Sequence, residues 1–99
     1  MFAVVYKFDV KPSCERQFEK NLHDMTVEFR EIHGGLGSCL HKTDEGKYLA
    51  YARWPDRETW VKDKDIANAE AMRLMKESLQ GKTETTPLSI ENDLLIVER

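Results

Sequence analysis

Apolar and polar residues alternate from the second residue onward. Phe2, Val4, Tyr6, Phe8 and Val10 fall on one side of an extended chain, and Ala3, Val5, Lys7 and Asp9 on the other. A period of two in a run rich in aromatic and β-branched residues predicts a first strand over 2–10. Lys11-Pro12-Ser13 ends it, because proline cannot donate to a ladder and serine is a good helix N-cap. A capping box is absent, since Arg16 stands where a glutamate or glutamine belongs. The period then lengthens. Phe18, Leu22, Met25, Phe29 and Ile32 step by four, three, four and three, drawing one apolar stripe along a helix over 14–32. Charged residues, Glu28 among them, cover much of the remaining surface, and His33-Gly34-Gly35 closes the helix with glycine's left-handed freedom.

Residues 36–43 read as a second strand and Tyr48-Leu49-Ala50-Tyr51-Ala52-Arg53-Trp54 as a third. The short turn at 44–47 between them implies an antiparallel hairpin. Pro55 breaks the third strand and Asp56 caps a second helix from Arg57. Trp60 and Val61 are followed by Lys62-Asp63-Lys64-Asp65, a stretch read as solvated, before apolar residues return through Ile66, Ala71, Met72, Met75 and Leu79. A bend or break is predicted near 63–66. Gly81 stops the helical region, 82–86 is a polar loop, and 88–97 is the last strand, densest at Leu94-Leu95-Ile96-Val97. The plan is strand-helix-strand written twice, the ferredoxin-like β-α-β-β-α-β arrangement of an α+β domain. It occupies 1–99 as one domain, with right-handed crossovers favouring an antiparallel sheet in the order 4-1-3-2 and both helices on one face.

Two helices cover one face of such a sheet. The other should be polar, yet Ala3, Val5, Leu49 and Tyr51 fall on it and the last strand reads as apolar on both sides. Four short strands project roughly 300 Å², near the largest apolar patch a monomer usually exposes. A homodimer joined through its sheet faces removes that surface, and two-fold contacts are the commonest solution.

The chain has 15 basic and 18 acidic residues, for a net charge of −3, which gives no footprint for nucleic acid or an anionic membrane. No apolar run approaches a membrane span. The N-terminus lacks the pattern of a signal peptide, so the cytoplasm is the default location. Cys14 and Cys39 are expected to be free thiols in that compartment.

Several segments together carry a family resemblance: Lys11-Pro12 before a helix containing Phe18, His-Gly-Gly-Leu-Gly at 33–37, the strand 48–54, and Asp-Arg-Glu-Thr-Trp at 56–60. In these segments and in element order the chain resembles the antibiotic biosynthesis monooxygenase family. The resemblance implies a dimeric α/β barrel with a pocket between sheet and helices in each subunit. It also implies cofactor-independent oxygenation of small aromatic phenols or quinols, with no metal or other cofactor. The haem-degrading branch of that family uses an asparagine on the first strand, and a tryptophan on the second helix with a histidine about ten residues beyond. Here Tyr6 and Lys7 occupy the first region and no histidine follows His41, so haem degradation is disfavoured. Some quinone-forming members place an asparagine on the third strand, where this chain reads Ala50-Tyr51-Ala52-Arg53.

Each candidate residue has a chemical and a structural reading. Trp54 and Trp60 can stack on a flat substrate or simply pack. Tyr6 and Tyr51 can hold a substrate oxygen. Arg53 can stabilise an oxyanion, or pair with Asp93 or Glu91. Met72, with Met75, can face a ligand or fill core. His23, His33 and His41 can each take a phenolic proton, with His33 foremost because it sits at a loop beside the barrel mouth. Cys39 and His41 share a strand face, but with His33 they match no metal-ligand spacing. The expected set is therefore His33, Arg53 and Tyr51 for catalysis, with Trp54, Trp60, Tyr6 and Met72 around the substrate. A non-catalytic dimeric small-ligand-binding or stress-associated module of the same fold is the alternative.

Overall fold

A computed structural model describes residues 1–95. Its elements are β1 (Phe2–Phe8), α1 (Glu15–Glu31), β2 (Gly37–Lys42), β3 (Tyr48–Trp54), α2 (Arg57–Val61), α3 (Ala69–Glu77) and β4 (Glu84–Ser89). The strands form one antiparallel sheet in the order β2-β3-β1-β4, the ferredoxin-like arrangement expected. The second helical region is split by the segment 62–68, where the polar run interrupts the apolar pattern. Among the described residues no helix is long and apolar enough to cross a membrane.

Strand alternation sorts the sheet faces. Phe2, Val4, Tyr6 and Phe8 of β1 join Tyr48, Ala50 and Trp54 of β3 beneath the helices, in two clusters bridged by Tyr6. Phe18 and Met25 are wholly buried from the α1 side, each burial being worth about 2–3 kcal/mol.

Four expectations need correction. Ser13 is not the cap: it has φ 71° in a turn closed by the Cys14 amide on the Lys11 carbonyl, and Cys14 caps α1 without a side-chain bond. The buried stripe of α1 is Phe18, Asn21, Met25 and Glu28, while Ile32 is 62% exposed. Two polar residues take core positions because both find partners; Asn21, for example, donates to the Gln17 carbonyl. The last strand begins earlier than expected, with Pro87 inside it. Among the described residues β4 is an edge strand bonded only to β1, where a proline is tolerated. Leu94 and Leu95 are exposed and lie outside any strand, and Ile96 and Val97 lie outside the described residues. β4 is thus not apolar on both sides: Glu84-Thr85-Thr86-Pro87-Leu88-Ser89 is exposed throughout. The apolar outer face is narrower than predicted, since β4 adds only Leu88, beside Ala3, to the residues of β1 and β3.

Candidate active site

A cavity of about 440 Å³ lies between the inner face of the sheet and the helices, and its geometry follows from the residues around Pro55. Trp54 ends β3 opposite Phe2 and is 5% exposed, its ring edge-on to Phe29 at 5.9 Å. Pro55 stops the ladder and Asp56 starts α2 by accepting the Thr59 amide at 2.7 Å, which holds its carboxyl below the ordinary range. One turn later Trp60 comes back over the sheet. Its indole N–H donates to the Tyr6 hydroxyl at 2.9 Å, and its ring lies 5.5 Å from Phe2. The two tryptophans, six residues apart in sequence, therefore enter one wall from opposite sides of the Pro55 break.

The segment after α2 is fixed by two ionised groups. Lys64 turns inward and donates to the carbonyls of Thr59, Trp60 and Lys62 at 2.8–2.9 Å, closing the C-terminal end of α2. Its ammonium sits 4.8 Å from the centre of the Trp54 ring, a cation–π distance, and burial lowers its pKa. From the other side Glu28, its side chain 6% exposed, accepts the amides of Ala67 and Asn68 at 3.0 and 2.7 Å. It also binds His33 Nε2 at 2.8 Å. Because a carboxylate can only accept, Nε2 carries the hydrogen. Burial alone would raise the Glu28 carboxyl, but the bonds from His33, Asn68 and Ala67 outweigh it and hold the group below its usual value.

Tyr6, Trp54, Trp60 and Met72 of the expected substrate set line this one cavity, with Phe29, Leu22 and Met75. Arg53 borders it, but its guanidinium binds Asp93 at 2.6 Å, holding that carboxyl down to about 2. Tyr51 lies on the opposite sheet face, paired in register with Cys39, and does not line the cavity. His33 does not line it either: its ring serves Glu28, and through Glu28 the 62–68 segment. His23 lines a separate polar hollow beside the cavity, sharing Leu22, Thr26 and Ser38 with it. Cys39 Sγ approaches His41 Nε2 at 3.6 Å, and among the described residues no three potential ligands gather as a metal site. The sequence reading missed Lys64, taken there as solvated, and Glu28, taken as surface. A lysine one position from two aspartates in a polar run carries no periodic signal. Glu28 had one, since it follows Met25 by three along the stripe.

Comparison with known proteins places this geometry. The family model described as "Antibiotic biosynthesis monooxygenase" matches residues 1–63. That span holds the hairpin, both tryptophans and Tyr6. The chain belongs to the antibiotic biosynthesis monooxygenase family. No curated protein matches it. Among solved structures it is similar to Rv0793 of Mycobacterium tuberculosis, at 17% identity and TM-score 0.76, covering 95% of this chain and 98% of that one. A Bordetella bronchiseptica protein provisionally described as an antibiotic biosynthesis monooxygenase matches at 19% and 0.76, covering 95% and 97%. A variant of SnoaB, a cofactor-independent oxygenase from Streptomyces nogalater, matches at 15% and 0.73, covering 94% and 95%. At such identities the likeness establishes the fold alone.

Proposed function

We propose that this chain is a cofactor-independent monooxygenase acting on a small phenol- or quinol-like aromatic held in the cavity. The observation that carries the reading is the cavity itself: room for a small aromatic between sheet and helices, walled by Trp54, Trp60, Tyr6 and Phe29. The likeness to SnoaB, a cofactor-independent oxygenase, supports it. The chemistry needs no prosthetic group. A phenol that has lost its proton is electron-rich enough to react with dioxygen. One oxygen atom enters the ring to give a quinone, the other leaves as water, and the four electrons come from the substrate. The wall's part is to exclude bulk water and hold the ring and its oxygen in place.

Pure protein incubated with a panel of phenols and hydroquinones in an oxygen electrode should consume oxygen above the buffer rate. No uptake across the panel overturns the oxygenase reading. A second reading, a non-catalytic binder of small aromatics, is favoured by one observation: among the described residues no aspartate, glutamate or histidine lines the cavity to act as base. Saturable binding without turnover would select it.

The remaining apolar outer face, the half-buried Val5, Leu49 and Tyr51 with the exposed Leu88, supports a second part of the proposal, that two copies pair through their sheets. Sedimentation at micromolar concentration should then give twice 11.6 kDa. A stable single-chain particle contradicts it.

A further inference from the structure

The charged residues bordering the cavity are all of one sign. Lys64 and Lys76 line it, and among the described residues no acidic side chain does. Arg53, also at its border, alternates to the face of Tyr51, with its guanidinium 5.7 Å from that ring and bonded to Asp93. Composition runs the other way, with 18 acidic against 15 basic residues, so the bias belongs to the site. The polar groups deeper in the wall point to the same polarity. Tyr6 already accepts from Trp60, so its own hydroxyl hydrogen remains to donate. Burial raises the Tyr6 phenol above its ordinary value, which keeps that hydrogen in place. Trp54 adds a buried indole N–H that has no acceptor among the described residues. Lys64 differs from both. Its three N–H bonds are taken by carbonyls of α2 and the segment that follows, so it offers the cavity a fixed positive charge without a free donor. Arg53 is engaged with Asp93, and Lys76 is exposed on α3, where solvent screens it.

We propose that the cavity takes its aromatic ligand already ionised, as a phenolate, enolate or carboxylate, with Tyr6 donating its hydroxyl to the anionic oxygen and Lys64 supplying the balancing charge. The proposal rests on the reading of the cavity as an aromatic-ligand site and deepens it by naming the charge state. It also accounts for the missing base where the ligand is a phenolate or enolate, because the oxygen to be oxidised has then already lost its proton. The charged and titratable groups around Lys64 are its neighbours Lys62, Asp63 and the exposed Asp65, and Glu28 behind the segment's end at Ala67 and Asn68. Asp63 is exposed and Glu28 is spent on its own three bonds. The charge of Lys64 is therefore not cancelled by an ion pair within the described residues.

The test uses two compounds of matched shape, 2-naphthoate and 2-naphthamide, titrated calorimetrically into the unmodified protein near neutral pH. The carboxylate should bind about tenfold more tightly or better, the scale of a hydrogen bond or charge contact to an ionised group. Lys64→Met should bring the two within about twofold by weakening the carboxylate alone, and Lys64→Arg should restore the preference. Equal affinities in the unmodified protein, or tighter binding of the amide, overturn the charge preference and leave the aromatic site standing. Binding of neither compound overturns both. A preference that survives in folded Lys64→Met removes Lys64 from its role and overturns the proposal as stated. The comparison in the unmodified protein decides the matter even if Lys64→Met does not fold.

Discussion

Glu28→Gln isolates what holds the cavity's outer wall in place. The substitution keeps the size of the side chain and removes its charge. In the native protein one carboxylate oxygen accepts Asn68 N, and the other accepts both Ala67 N and His33 Nε2. Whichever way the glutamine amide turns, its NH₂ faces at least one N–H that then has no acceptor. Bonds to an ionised group are worth about 1.5–3 kcal/mol each, and one is lost while the others weaken to neutral strength. A loss of about 2–3 kcal/mol follows, or about 10–15 °C in Tm for a domain of this size. The pH dependence gives the sharper check. The folded carboxyl lies below its ordinary value of 4.5, so its contribution is fully present above that pH and is lost as pH falls through the folded value. The gap between native protein and variant, read by circular dichroism melts, should narrow as the pH is taken below about 4.5. Amide exchange at Ala67 and Asn68 should also quicken in the variant. Equal Tm at neutral pH, or a gap that ignores acid, would refute the reasoning.

Two further substitutions follow from single observations. Ser13→Gly should stabilise the protein by about 0.5–1 kcal/mol in urea unfolding, because Ser13 holds a left-handed φ of 71° that costs a residue with a Cβ; a loss of stability contradicts this. Tyr6→Phe removes the acceptor of the Trp60 indole and should cost about 1 kcal/mol by the same assay, with a shift in tryptophan emission; unchanged stability and emission contradict it.

The parts of the fold that were legible in the sequence are those with a strong period. β1 announced itself by alternation, β3 by its apolar run after the short turn that follows β2, and the break after Val61 by four charged residues in a row. β4 was misplaced for a physical reason. An edge strand needs one ladder and can be polar and hold Pro87, whereas Leu94-Leu95 is apolar without pairing. At the site, alternation already separates Tyr51 from Trp54, since an odd spacing puts them on opposite faces, and the structure follows it. The role of His33 could not be read locally, because its partner Glu28 binds a segment nearly 40 residues on. Lys64 was hidden for the same reason: only tertiary packing decides which of the two lysines in the charged run turns inward.

The most direct test of the central claim is a crystal structure of the protein with 2-naphthoate bound. The account requires the ring inside the cavity between Trp54 and Trp60, a carboxylate oxygen within hydrogen-bond reach of the Tyr6 hydroxyl, and Lys64 the nearest cation. A ligand seated in the hollow beside His23, or on the outer face of the sheet, would contradict it.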